Sequence, residues 1–60
     1  SFHIVGARVG HSVRVVADGA DQGRGVVVET DPTSSHPVRV LLDSKHPPEA
    51  IWFMMGEVTQ

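Results

Sequence analysis

Residues 25–42 read Gly-Val-Val-Val-Glu-Thr-Asp-Pro-Thr-Ser-Ser-His-Pro-Val-Arg-Val-Leu-Leu. Two β-branched runs flank a polar turn that contains proline. Valine and threonine suit a pleated, half-buried surface. Asp31-Pro32-Thr33-Ser34-Ser35-His36 is turn chemistry, because Asp, Thr and Ser side chains bond nearby backbone groups. The stretch therefore predicts a central hairpin, with one strand over residues 26–30 and the next over 37–43. Pro37 suits a strand's first position, where no ladder N–H is required of it. Strict alternation turns Val27 and Glu29 to one side and Val26 and Val28 to the other. It turns Val38, Val40 and Leu42 one way and Arg39, Leu41 and Asp43 the other.

On the N-terminal side, residues 11–17 alternate Val13, Val15 and Ala17 with Ser12, Arg14 and Val16, the period-2 pattern of a half-buried strand. Between this strand and the hairpin lies Asp18-Gly19-Ala20-Asp21-Gln22-Gly23-Arg24-Gly25. Asp-Gly is a turn dipeptide, and three glycines in seven residues predict a long loop over 18–25. Residues 1–12 contain Gly6 and Gly10, which bend the chain across one end of the fold as an arm or short strand. Phe2 or Val9 would plug that end, and Phe2, Ile4 and Val5 would supply any strand.

On the C-terminal side, Ser44-Lys45-His46-Pro47-Pro48-Glu49 is a second polar turn. Residues 50–55, Ala-Ile-Trp-Phe-Met-Met, form a fourth strand in preference to a helix, given Ile51, Trp52 and Phe53 in succession. A single turn and a short closing strand with Val58 inward complete the chain. Five short strands separated by Gly- and Pro-rich turns predict an all-β fold, a small five-stranded barrel. Residues 1–60 make one domain, with 1–10 as its arm.

Sixty residues bury only about 60% of the surface that their unfolded chain exposes, so such a domain is marginal without a staple. The chain has no Cys, which excludes disulfides and thiolate metal sites. Oligomerisation is the staple that remains. Five basic and seven acidic residues give a net charge of −2. A nucleic-acid module usually carries a basic excess to match phosphate, so this balance leans against one. No apolar run approaches the ~20 residues that span a bilayer. The N-terminus lacks the charged-then-apolar pattern of a signal peptide, and a cytoplasmic location is expected. The chain begins at Ser1 without Met, which fits a longer parent or a processed product.

The order of motifs resembles the SH3-like barrel group. Val9-Gly10 precedes Val13-Arg14-Val15. Gly23-Arg24-Gly25-Val26-Val27 and His36-Pro37-Val38-Arg39-Val40 follow, then Phe53 and Glu57-Val58. This is similar to KOW-type domains and to the small accessory subunits of photosystem I and of ferredoxin–thioredoxin reductase. The resemblance covers nearly the whole chain and implies a fold rather than a function. A narrower resemblance is to the type II, plasmid-encoded dihydrofolate reductases, SH3-like chains that form tetramers around a central pore. Arg14, Ala20, Gln22-Gly23, Val26, His46-Pro47 and Val58 match their pattern in type and spacing. Their pore-lining Val-Gln-Ile-Tyr is replaced here by Ala50-Ile51-Trp52-Phe53, and Val15 stands where their ligand-binding Lys belongs. The resemblance implies a fold and an assembly mode and argues against the reductase activity.

Several groups invite a chemical reading. His3, His11, His36 and His46 are spaced 8, 25 and 10 residues apart, which fits no metal signature. They read as solvated turn residues. Asp31, Thr33, Ser34, Ser35 and His36 imitate a catalytic triad in type, but triads are assembled across a fold and these share one turn. Gly19, Gly23 and Gly25 lack the Lys-Ser/Thr and the following helix of a phosphate loop. They read as conformational freedom in a loop. No catalytic, cofactor-binding or metal residue is assigned, and no cofactor is expected.

Binding is the remaining expectation. With Ile51, Phe53 and Met55 turned in, Trp52 and Met54 face out. Leu41 and Val27 share their nominal outer face. Exposed Trp, Met and Leu make the composition of an interface core, and Trp is a frequent hot spot. Trp52, Met54, Leu41 and Val27 are thus the expected interface of a homo-oligomer or accessory subunit docking on a protein partner; the alternative is that Trp52 lies under the N-terminal segment, covered by Phe2 or Ile4 of the same chain. Arg14, Arg24 and Arg39 are the expected polar contacts. Beside Trp52 they would also suit single-stranded nucleic acid, with Glu29 and Asp43 placed to neutralise them.

Overall fold

The computed structural model describes residues 8–60. The expectations for Phe2, Ile4, Val5, Gly6 and His3 fall outside them. In chain order the elements are β1 (Ser12–Ala17), β2 (Ala20–Thr30), β3 (Val38–Leu42), β4 (Glu49–Phe53), a 3₁₀ turn (Met55–Glu57) and β5 (Val58–Thr59). The strands form one antiparallel sheet in the order β4-β3-β2-β1-β5. The fold is all-β, as the hairpin stretch predicts. The sheet is not closed: β4 and β5 are its two edges, so the expected barrel closure is not present among the described residues.

One face of this sheet is the core. Val13, Val15, Val27, Val38, Val40 and Leu42 are fully buried, joined by Ala17, Phe53 and Val58. Ile51 and Met55 pack against the cluster from its margin. Burying a Val or Leu side chain completely is worth about 1.5–3 kcal/mol, so these alternating positions supply most of the cohesion. No polar or charged side chain is buried among the described residues. The inward assignments of residues 13, 15, 17, 38, 40, 42, 51, 53 and 58 agree with the sequence; the fourth strand ends at Phe53 and not at Met55 as expected, and Met55 reaches the core margin from the 3₁₀ turn. The 3₁₀ turn is closed by Glu57, whose backbone N–H donates to the Met54 carbonyl at 3.0 Å. Its carboxylate accepts the Met54 N–H at 2.8 Å.

Residues 18–25 differ from expectation. Only Asp18 and Gly19 form a turn, with φ of 54° and 76°, the left-handed pair that a two-residue hairpin uses to match strand twist. Ala17 pairs directly with Ala20, and β2 runs on through all the remaining glycines. Two of these have strand roles in place of loop freedom. Gly23, at φ 91°, sits where the β1–β2 register shifts by one residue, a bulge that strands turn with glycine. Gly25 is buried between Val13 on β1 and Leu42 on β3. A Cβ there would overlap the Leu41 carbonyl oxygen and lie 2.8 Å from Val40 Cγ1.

Val27 also differs. It belongs to the core and not to the outer face. The β2–β3 register shifts between Val27 and Glu29, where Val28 is an extra residue. This second bulge breaks the alternation, so Val27 points in while Glu29, two residues on, lies across from Arg39 on the outer face. Val9, at 60% exposure, does not plug the fold.

In the β2–β3 turn, the Asp31 Oδ1 accepts both the Thr33 hydroxyl at 2.6 Å and the Thr33 N–H at 3.1 Å. These bonds, the hydroxyl foremost, hold the Asp31 carboxyl below its ordinary pKa. A depressed carboxylate stabilises the fold above its unfolded pKa, and that contribution is lost as pH falls through the folded value.

Gly25→Ala should destabilise by more than about 2 kcal/mol, since overpacking against backbone leaves no relaxation route. Gly56→Ala, which meets nothing within 4 Å, should fall within about 0.5 kcal/mol of wild type. Thermal and urea unfolding of both variants checks this, and a neutral Gly25→Ala would reject the close approach. In Thr33→Ala the Asp31 midpoint, followed by carboxyl carbon shifts, should rise toward the ordinary aspartate value. The stability lost in that variant should be larger at neutral pH than in acid below the midpoint. An unmoved midpoint would remove the hydroxyl as the cause.

Candidate interaction face

Cross-strand partners on one face of a sheet are neighbours, so the register lays out the solvent-facing side row by row. The first row is Trp52 on β4, Arg39 on β3 and Glu29 on β2. The second is Ala50, Leu41, Val26 and Ser12, crossing β4, β3, β2 and β1. The third is Arg24 on β2, Arg14 on β1 and Thr59 on β5.

The first two rows carry the apolar surface. Trp52 is 37% exposed, and Val26, Val28 and Met54 are comparably or more exposed. Leu41 is half-buried between Val26 and Ala50. Trp52, Met54 and Leu41 therefore lie where alternation in the sequence puts them. Val26 and Val28 take the place expected of Val27. The bulge that moves them was not visible as such, but a signal for it existed. Val26-Val27-Val28 cannot all face one way, and Glu29 must lie outside for an opposite charge to meet Arg39.

The polar groups of the first row are interlocked. Arg39 Nη1 donates to Glu29 Oε1 at 3.3 Å. Its guanidinium carbon lies 6.0 Å from the centroid of the Trp52 ring, the outer limit of a cation–π contact. Its Nε is buried without a hydrogen-bond partner. Both partners of the ion pair are about half exposed, and such pairs contribute roughly 0–1 kcal/mol. The pair thus neutralises charge beside Trp52 more than it stabilises the fold.

In the third row Arg14 Nη1 lies 3.8 Å from Asp21 Oδ2, and Arg24 Nη2 donates to Ser12 Oγ at 3.1 Å. Arg24 is a strand residue, not the loop residue expected. The three expected arginines do share one face, but Arg39 stands apart with Trp52 while Arg14 and Arg24 are direct neighbours. The expected neutralisation by Glu29 holds for Arg39, and Asp21 supplies it for Arg14.

The remaining candidates are dispersed. Asp31 is bonded to Thr33, the Ser34 hydroxyl accepts the His36 N–H at 3.1 Å, and Ser35 Oγ lies 3.1 Å from His36 Nδ1. The carboxylate therefore orders the turn and does not orient the imidazole. His11 Nδ1 meets Gln60 Nε2 at 3.0 Å. No group of three or more metal-ligating side chains gathers among the described residues. Val15, Ile51 and Phe53, which stand where the resembled reductases carry Lys, Gln and Tyr, all pack in or against the core. An open depression lined by Asp21, Gln22, Gly23, Ser44 and Lys45 lies beside the first bulge. There the Ser44 hydroxyl donates to the Gln22 carbonyl at 2.9 Å. No described helix is long and apolar enough to cross a membrane.

Set against known proteins, the chain matches no family model, no curated protein and no solved structure.

Proposed function

We propose that this chain is a binding module without catalysis, and that it associates with a second copy of itself through the outer face of β2, β3 and β4. The observation that carries the reading is the set of apolar side chains on this face, exposed Trp52, Val26, Val28 and Met54 with half-buried Leu41, around the Arg39–Glu29 ion pair. Its five-strand antiparallel sheet is compatible with the SH3-like fold that the motif order suggests.

Three considerations favour a second copy over an unrelated partner. A two-fold interface places a patch on itself, so any charge within it must be self-complementary. This patch holds one cation and one anion, Arg39 and Glu29, already 3.3 Å apart. Two copies can therefore exchange partners across the axis without repulsion. A standard interface takes about 800 Å² from each partner, roughly a fifth of the 3937 Å² surface here. A chain of 60 residues also gains stability by mass action when its folded form associates. Trp52, with Arg39 against its ring, would be the hot spot, since Trp and Arg dominate such centres.

Light scattering across a dilution series tests this. Wild type should show twice the mass of one chain and dissociate on dilution. Trp52→Ala and, separately, Leu41→Glu should be monomeric with unchanged far-ultraviolet dichroism. A folded variant that keeps the doubled mass would overturn the interface. A monomeric wild type that binds single-stranded oligonucleotide with steep salt dependence would favour the nucleic-acid reading instead.

A further inference from the structure

We infer that Arg14 and Arg24, with the hydroxyls of Thr59 and Ser12, form a binding site for a tetrahedral oxyanion, a phosphate group on a small molecule. The inference does not depend on self-association, because the site lies on the β2, β1 and β5 side of the face, away from Trp52.

The starting point is a pairing that the fold alone does not favour. Arg14 and Arg24 are directly opposite in the β1–β2 register, and like charges in that relation repel at close range. Each side chain leans away from the other. Arg14 reaches toward Asp21, and Arg24 reaches toward Ser12. Neither contact satisfies its guanidinium. The Arg14–Asp21 separation of 3.8 Å, with both side chains about half exposed, makes a weak pair. Ser12 is neutral and takes one N–H from Arg24. A guanidinium carries five donors in a planar fork shaped for carboxylate or phosphate, so most of the ten donors here have no partner among the described residues.

The surroundings fit an anion better than a cation or an apolar group. Thr59 lies directly across from Arg14 on its other side, so a hydroxyl borders the row at the β5 edge. Ser12 borders it two residues along β1, in the next row of the same face. Two positive charges with hydroxyl donors at the margin match an oxyanion that carries up to two negative charges and several acceptors. A single carboxylate would leave one charge unmatched. In a chain of net charge −2, diffuse attraction does not account for anion binding, so any selective binding must come from this local arrangement. Asp21 is the competing anion. A bound phosphate would draw Arg14 away from it, and the shift of the Asp21 contact would report occupancy.

The experiment is a titration of the labelled full chain with inorganic phosphate and with phosphoserine, against chloride at equal ionic strength, followed by amide and arginine side-chain NMR signals. Saturable shifts should centre on Ser12, Arg14, Arg24 and Thr59. Arg14→Gln or Arg24→Gln should weaken the apparent affinity about tenfold or more, as loss of one charge-assisted bond implies. Arg39→Gln should leave it unchanged. Arg24→Lys, which keeps charge and loses the fork, should recover only part of the affinity. Binding of phosphoserine but not inorganic phosphate would still support the site, with the ester as the source. Shifts that fail to saturate, or equal losses in all three arginine variants, would overturn it. So would an oligonucleotide that binds tightly while both small phosphates do not.

Discussion

The crossing at Gly25 is the constraint on which the rest depends. β2 is the middle strand, and it pairs with β1 over its first part and β3 over its last. In the strand registers Gly25 and Val26 are paired on both sides, and backbone bonds from Asp43 to Arg24 and between Val27 and residues 10–11 flank them. At that point three backbones run side by side, and the Gly25 Cα faces the β3 backbone too closely to carry a side chain. A bulge lies on either side, at Gln22–Gly23 and at Val28–Glu29. Bulges bend a strand and increase its twist. The long strand can therefore serve β1 at one end and β3 at the other while both turn their valines toward a common core.

The second bulge couples the core to the surface. Without it, Val27 and Glu29 would share a face, and either a carboxylate would enter the core or a valine would leave it. With it, Val27 fills the core, while Val28 joins the exposed apolar row and Glu29 reaches Arg39. One inserted residue therefore supplies a core contact, the neutral ion pair and part of the apolar row. The packing that holds the domain together and the composition of its outer face are consequences of the same backbone irregularity.

This explains which parts of the structure were legible in the sequence. β1, β3 and the Ile51–Phe53 segment have unbroken alternation, and period-2 patterning placed each of their side chains on the side where it lies. The two-residue turn at Asp18-Gly19 was visible as a dipeptide, but its shortness was hidden by Gly23 and Gly25. In composition a glycine that permits a bulge or a close approach cannot be told from one that loosens a loop. The direction of Val27 was misread for the same reason, since a bulge changes phase without changing residue type. On the outer face, Trp52 and Leu41 followed from alternation on regular strands, and Met54 from the same alternation carried one residue past the end of β4. Val26 and Val28 did not, because they lie on the strand that is irregular.

Charge shows the same dependence on placement. The sum over the chain is acidic, and on that ground a site for anions would be dismissed. Yet Arg14, Arg24 and Arg39 all lie on one sheet face, against Asp21 and Glu29 as their nearest acids. Other acids, among them Asp18, Asp31, Asp43 and Glu57, lie in turns. The register then divides the three arginines. Arg39 is held between a carboxylate and an indole, which leaves that end of the face electrically neutral beside exposed apolar side chains. Arg14 and Arg24 are opposite each other across one strand pair, with Asp21 at 3.8 Å from Arg14 as the one carboxylate paired with either among the described residues, which leaves that end with unused donors and excess positive charge. The two ends therefore suit different occupants, an apolar surface at one and an oxyanion at the other. Both distinctions arise from where β2 is bent, not from the residue types alone.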